Sequence, residues 1–149
     1  MAQEHYYDVS VEWEEGRKGT MTSEVLDSSI EVATPPQFSK GIEGVWSPEH
    51  LFVAAINSCL MTTFLAIAEN SKLAYTSFTS KAVGKLEVVE GKYLMTEVTL
   101  KPAVVVPGNE DIERAIRIVQ KAEAACLISN SVKSKVILEP TVTILQPVL

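Results

Sequence analysis

A chain of 149 residues with 46% apolar and 21% charged side chains is long enough to bury a core and too apolar for disorder, so it is read as a single domain, residues 1–149. A formal net charge of −6, with no basic stripe beyond Lys133-Ser-Lys135, argues against nucleic acid as a partner. The start, Met-Ala-Gln-Glu-His-Tyr-Tyr, lacks the basic and apolar regions of a secretory signal, and the expected setting is cytoplasmic and reducing, where a lasting structural disulfide is disfavoured.

From Tyr6 to Glu14 the residues Tyr7, Val9, Val11 and Trp13 recur at a period of two, the pattern of a half-buried strand. Glu15-Gly-Arg-Lys-Gly is a turn, and strands at about 20–26 and 29–34 complete an antiparallel meander that Pro35-Pro36 ends. Residues 37–46 read as a loop. Ser47-Pro48-Glu49 then opens a helix: Ser47 as N-cap, proline at the first helical position, and an acid facing the positive end of the dipole. Residues 51–68 are apolar nearly all round, which predicts a helix buried on every side. One small domain cannot supply that cover, so a second subunit is expected. Asn57, Ser58, Thr62 and Thr63 interrupt the run and make it too polar to span a bilayer comfortably, so no membrane is expected as a partner.

Two strands follow at about 76–89 and 93–105, joined by a Glu90-Gly-Lys turn. Pro107-Gly-Asn-Glu-Asp leads into a second helix with Asn109 as its cap and Ile112, Ala115, Ile116, Val119, Ala122 and Cys126 as its apolar stripe. A last strand is expected over residues 135–145.

Cys59 and Cys126, the only cysteines, lie on these two helical segments and belong to no CxxC motif. If they meet in one core they form a redox couple rather than a metal site, because His5 and His50 do not complete a tetrahedral ligand set. Either cysteine alone is more often a core filler. A reactive thiolate needs a positive neighbour or a helix N-terminus, and Cys59 sits several turns into its helix. Arg17 in the Gly16–Gly19 turn is a candidate cation, although such an arginine is ordinarily just a solvated turn residue. Glu49 has its own role as a first-turn acid. Phe52, Ile56 and Leu60 are expected to line an apolar cleft around Cys59, which would favour substrates that carry an alkyl group.

The run Ser47-Pro-Glu-His-Leu-Phe-Val-Ala-Ala-Ile-Asn-Ser-Cys-Leu closely resembles the first-cysteine signature of the OsmC/Ohr family of thiol peroxidases. Cys126-Leu-Ile-Ser-Asn-Ser is similar to that family's second-cysteine motif, and Gly16-Arg-Lys-Gly19 to its N-terminal arginine turn. Many members place proline directly after the second cysteine, where this chain has Leu127. The resemblance implies an α+β fold with antiparallel sheets around a central buried helix, in an intertwined homodimer with two interfacial active sites. It further implies Cys59 as peroxidatic nucleophile, Cys126 as resolving thiol, Arg17 lowering the Cys59 pKa, and Glu49 holding the guanidinium. An organic hydroperoxide, preferred over hydrogen peroxide because of the apolar cleft, would be the substrate and an external dithiol the reductant, with no metal and no cofactor. One unbroken helix would separate Glu49 from Cys59 by roughly 15 Å along its axis, so either the helix breaks near Asn57-Ser58 or one partner comes from the other subunit. The alternatives to a peroxidase are a non-catalytic dimer binding a small hydrophobic molecule at its interface, with both cysteines as inert lining, and a redox sensor. Arg17 near Cys59 distinguishes the enzyme from the binding module.

Overall fold

The computed structural model describes residues 3–146. Its contacts gather the chain into two compact units, Met1–Leu51 and Phe52–Leu149.

The first unit is a three-stranded antiparallel sheet in the order β1-β2-β3, with β1 Ser10–Glu15, β2 Lys18–Thr22 and β3 Ile30–Ala33. The β1–β2 turn needs the left-handed backbone of Gly16, at φ +52°. The Trp13 indole Nε1 closes it by donating to the Gly16 carbonyl at 3.0 Å. The expected half-buried face of the first strand is instead exposed: β1 is the outer strand, and Val9, Val11 and Trp13 are 69–74% exposed in the single chain. Ser47 caps the following helix as expected. It is fully buried, and its Oγ accepts the His50 main-chain N–H at 3.1 Å.

Helix α1, Pro48–Asn70, is continuous, so the interruption considered at Asn57-Ser58 does not occur. In the second unit it presents Ile56, Leu60, Phe64 and Ala68 to the core at every fourth position, each at most 1% exposed. The opposite side, including Ala55, Ser58, Met61, Thr62 and Leu65, is open in the single chain. Burial on all sides is therefore not met by one chain, because its sheet covers only one side of the helix. Ser58 and Thr62 turn their hydroxyls back onto the carbonyls of Ala55 and Cys59, at 3.3 and 3.1 Å, which removes much of their polar character. By length and hydropathy α1 is apolar enough to cross a bilayer, contrary to the reading from its four polar interruptions.

The second sheet is built on β5, Lys92–Val106, whose Val98, Leu100, Pro102, Val104 and Val106 alternate inward. Antiparallel β4, Ser77–Val89, lines one edge. Its turn, Glu90-Gly91, has both residues at positive φ, 50° and 80°, as a tight hairpin requires. Two short strands, β6 Lys135–Leu138 and β7 Thr141–Ile144, run parallel to successive stretches of β5, where one final strand was expected. The interruption at Glu139-Pro140 faces Pro102, so two residues lacking an N–H donor sit where the ladder is already broken. Helix α2, Ile112–Ala125, buries Ala115, Ile118, Val119 and Ala122. Its cap is Asp111 rather than Asn109, because residues 109–111 form a separate 3-10 turn.

Helix α1 lies against β4 through a stepped series of contacts. Asn57 Nδ2 donates to the Ser80 carbonyl at 2.9 Å while the Ser80 hydroxyl donates back to Asn57 Oδ1 at 2.6 Å. Further along, Phe64 stacks on Phe78 with ring centroids 4.7 Å apart. Gly84 leaves room for Val53 of α1: a Cβ there would overlap Val53 and the Met95 methyl. Gly84→Val should destabilise the protein by about 1–3 kcal/mol, read from denaturant midpoints. Adding Val53→Ala should return part of that loss, since the two side chains compete for one space.

Candidate active site

The two cysteines converge within the second unit. Cys59 comes from the middle of α1 and is half-buried; Cys126 is the C-cap of α2 and has no solvent exposure. Both are free thiols, close enough that each alters the other's acidity. The Cys126 N–H closes the end of α2 on the Glu123 carbonyl at 3.1 Å, and its extended conformation, φ −66° and ψ 114°, turns the chain back across α1. Residues 126–131 form a compact turn in which Asn130 N donates to the Cys126 carbonyl and Ser131 N to the Ile128 carbonyl, both at 3.0 Å.

The surroundings push the two thiols apart in acidity. Burial raises the Cys59 pKa, but hydrogen bonds from the Cys126 thiol, the Ile128 main chain, the Thr63 hydroxyl and the Leu127 main chain outweigh it, and the result lies below the usual thiol value. Thr63 Oγ1 stands 3.8 Å from the Cys59 sulfur, one helical turn along α1. For Cys126, burial and the proton it donates to Cys59 both favour the neutral thiol, and its pKa is raised. The Ser129 hydroxyl and amide lie against it and offset part of this rise; that hydroxyl is buried and makes no well-formed hydrogen bond. The pair thus holds one reachable sulfur disposed to ionise and one enclosed sulfur that keeps its proton.

The other expected site residues lie elsewhere. Ile56 and Leu60 are completely buried in the core, and Phe52 is half-buried against it. Ile56 and Leu60 share the inward face of α1 with Phe64, so they are used in packing rather than in the wall of an open cleft. Arg17 and Glu49 belong to the first unit, where both line a cavity of about 530 Å3 with apolar walls from Val11, Trp13, Val32 and Phe38. Lys18, not Arg17, lies near the carboxylates of Glu14, Glu15 and Glu31, at 3.7–4.0 Å. Among the described residues the Arg17 guanidinium makes no ion pair, with Glu49 or any other acid. Among the described residues no three His, Cys, Asp or Glu side chains come together as a metal site would require.

Thr63 was within reach of sequence reasoning, since residues four apart share a helix face. The main-chain donors at Leu127 and Ile128 carry no side-chain signature, and only the folded turn reveals them.

The alkylation rate of Cys59 by iodoacetamide should rise with pH through a midpoint below that of an ordinary thiol. Cys126→Ala removes the strongest of its hydrogen-bond donors and should move that midpoint up. An unchanged midpoint would show that the thiol–thiol hydrogen bond does not set the acidity of Cys59.

Comparison with known proteins places these features in context. The family model described as "OsmC-like protein" matches residues 40–141, a span that includes α1, the β4–β5 hairpin and both cysteines. The chain is 30% identical over 124 residues to Peroxiredoxin OsmC of Escherichia coli K12, covering 82% of this chain and 84% of that protein. Among solved structures it is similar to an OsmC-like protein of unknown function from Vibrio cholerae, with a TM-score of 0.83 and 28% identity over 92% of this chain and 99% of that one. An organic hydroperoxide resistance protein from Elizabethkingia anophelis shares the fold, with a TM-score of 0.76 and 24% identity over 97% and 100% of the two chains. A mixed α+β chain with two sheets, matched by the family model over most of its length and by these structures over nearly all of it, is a member of the OsmC-like family.

Proposed function

We propose that this protein is a cysteine-dependent peroxidase that reduces organic hydroperoxides through Cys59 and Cys126. The observation that supports it most is the division between the two thiols: Cys59 is reachable and acidified, and Cys126 is enclosed, protonated and in contact with it. The Cys59 thiolate attacks the distal oxygen of the hydroperoxide; the O–O bond breaks, the alkoxide takes a proton and leaves as the alcohol, and Cys59 becomes a sulfenic acid. The Cys126 sulfur then displaces the sulfenyl hydroxyl, its proton leaving with it as water, and a Cys59–Cys126 disulfide forms. An external dithiol reduces that disulfide by exchange.

Because α1 is unbroken, the second of the two arrangements weighed from sequence is adopted, in which a second copy of the chain supplies Arg17 to the thiolate. Its lack of an ion pair in the single chain leaves the guanidinium available for that role, and Glu49, beside it in the same cavity, is assigned to orient it. A homodimer is also favoured by the apolar surface the single chain leaves open: Val11 and Trp13 on β1, Met61 and Leu65 on α1. Sedimentation at micromolar concentration should show one species of twice the chain mass, and a stable monomer would remove the dimer and its shared site together.

Cys59→Ser should abolish both peroxide consumption and disulfide formation. Cys126→Ser should react once and accumulate a sulfenic acid that a dimedone-type reagent traps by mass spectrometry. Arg17→Ala should preserve the dimer and slow the first oxidation. Cumene hydroperoxide should be turned over more efficiently than hydrogen peroxide, because the apolar walls beside Arg17, from Val11, Trp13, Val32 and Phe38, can take up its organic group. The cavity beside Arg17 also supports a second reading, a dimer that binds a small hydrophobic molecule without turnover. Peroxide consumption unaffected by either cysteine substitution would select it.

A further inference from the structure

We propose that the Thr63 hydroxyl is a dedicated hydrogen-bond donor to the Cys59 thiolate, which gives the nucleophile an activating contact from its own helix that does not depend on Cys126. This deepens the peroxidase reading and rests on it for the role of Cys59 as nucleophile. Thr63 Oγ1 lies 3.8 Å from the Cys59 sulfur. Residues four apart share a helix face, and helical side chains lean toward the N-terminus, so Thr63 is carried over Cys59 by the backbone itself. A helical serine or threonine ordinarily turns its hydroxyl onto a carbonyl three or four residues back. Ser58 and Thr62 do so, on Ala55 and Cys59. Thr63 does not: among the described residues the sulfur is its hydroxyl's only hydrogen-bond partner. One of its two usual acceptors is occupied, because the Cys59 carbonyl takes the Thr62 hydroxyl at 3.1 Å and, in the unbroken helix, the Thr63 main-chain N–H, and these use both of its lone pairs. The hydroxyl can accept from a neutral thiol, but toward a thiolate it can only donate. The bond to the anion is shorter and stronger than the neutral one, so the contact favours the ionised sulfur. Such a donor matters because Cys59 lies in the middle of α1, beyond reach of the helix dipole, and burial works against its ionisation. The Cys126 thiol is used up when the disulfide forms, whereas Thr63, one turn of α1 away, is altered by no step of the cycle.

Thr63→Val removes the hydroxyl and keeps the β-branched shape, while Thr63→Ser keeps the hydroxyl. In the full-length protein, Thr63→Val should move the pH midpoint of Cys59 alkylation by iodoacetamide upward and slow the reaction roughly twofold to fivefold at a pH below that midpoint. Thr63→Ser should hold both near their wild-type values. The slowing should recur when Thr63→Val is added to Cys126→Ala. Equal midpoints for Thr63→Val and the wild type, a Thr63→Ser midpoint as high as that of Thr63→Val, or an effect that disappears in the Cys126→Ala background would each overturn the proposal. A second measurement needs no substitution at position 63: in the wild-type protein the Thr63 Cβ resonance should shift with pH at the midpoint of Cys59 alkylation, and Cys59→Ser should abolish that shift. A Thr63 carbon that does not respond to the ionisation of Cys59 would equally overturn it, even should Thr63→Val fail to fold. None of these readouts involves peroxide. A chain that shows them but consumes no hydroperoxide would keep Thr63 as the donor to the thiolate and lose the peroxidase reading.

Discussion

Helix α1 carries apolar residues nearly all round, so its own sequence pattern cannot decide which side faces inward. That decision falls to β4 and β5, and the site depends on it. Complete burial of Ile56, Leu60 and Phe64 is worth roughly 1.5–3 kcal/mol for each side chain and holds the helix on the sheet. Any apolar face would gain a comparable amount. The paired hydrogen bonds between Asn57 and Ser80, at about 1 kcal/mol each, are smaller but directional, and they distinguish one rotation of the helix from the others. The open Cβ position of Gly84 beneath Val53 distinguishes one height. Hydrophobic burial supplies the strength of the packing, and these polar and steric details supply its register.

That register brings Cys59 to the turn that follows α2. The hydrogen bond between the thiols has one proton to share, and the two sulfurs compete for it. Enclosure of Cys126 settles the competition, since an ion there would be farther from water, whereas Cys59 meets several donors at once. The same contact that lowers one pKa raises the other. An acidified thiol and a protonated partner are therefore not two separate adjustments but two results of one asymmetric burial.

The elements were legible in sequence where local chemistry is decisive. Ser47-Pro48 marked the start of α1, Glu90-Gly91 marked the hairpin, and the stripe of α2 was recovered apart from Ile118. The cysteine couple was legible as a possibility, because two thiols on apolar helices can meet. Other features depend on tertiary contacts and left no local trace. The exposure of the outer strand comes from its place at the sheet edge, and the split of the last strand from Pro140 standing opposite Pro102 of β5. The fate of Ile56 and Leu60 as core rather than cleft followed from a rotation of α1 that its composition does not encode.

Strand β1 has a further consequence for the life of the newly made chain. An outer strand with apolar Val11 and Trp13 on one face is a template on which other chains can stack. Glu12 and Glu14 line its other face and Glu15 ends it, so two such edges approaching each other would bring like charges together at close range. Strand-to-strand growth into fibres is thereby opposed, while the apolar face stays open to a partner that arrives broadside. The charges of β1 thus guard the single chain against strand-to-strand growth only, and leave association through Val11 and Trp13 unopposed.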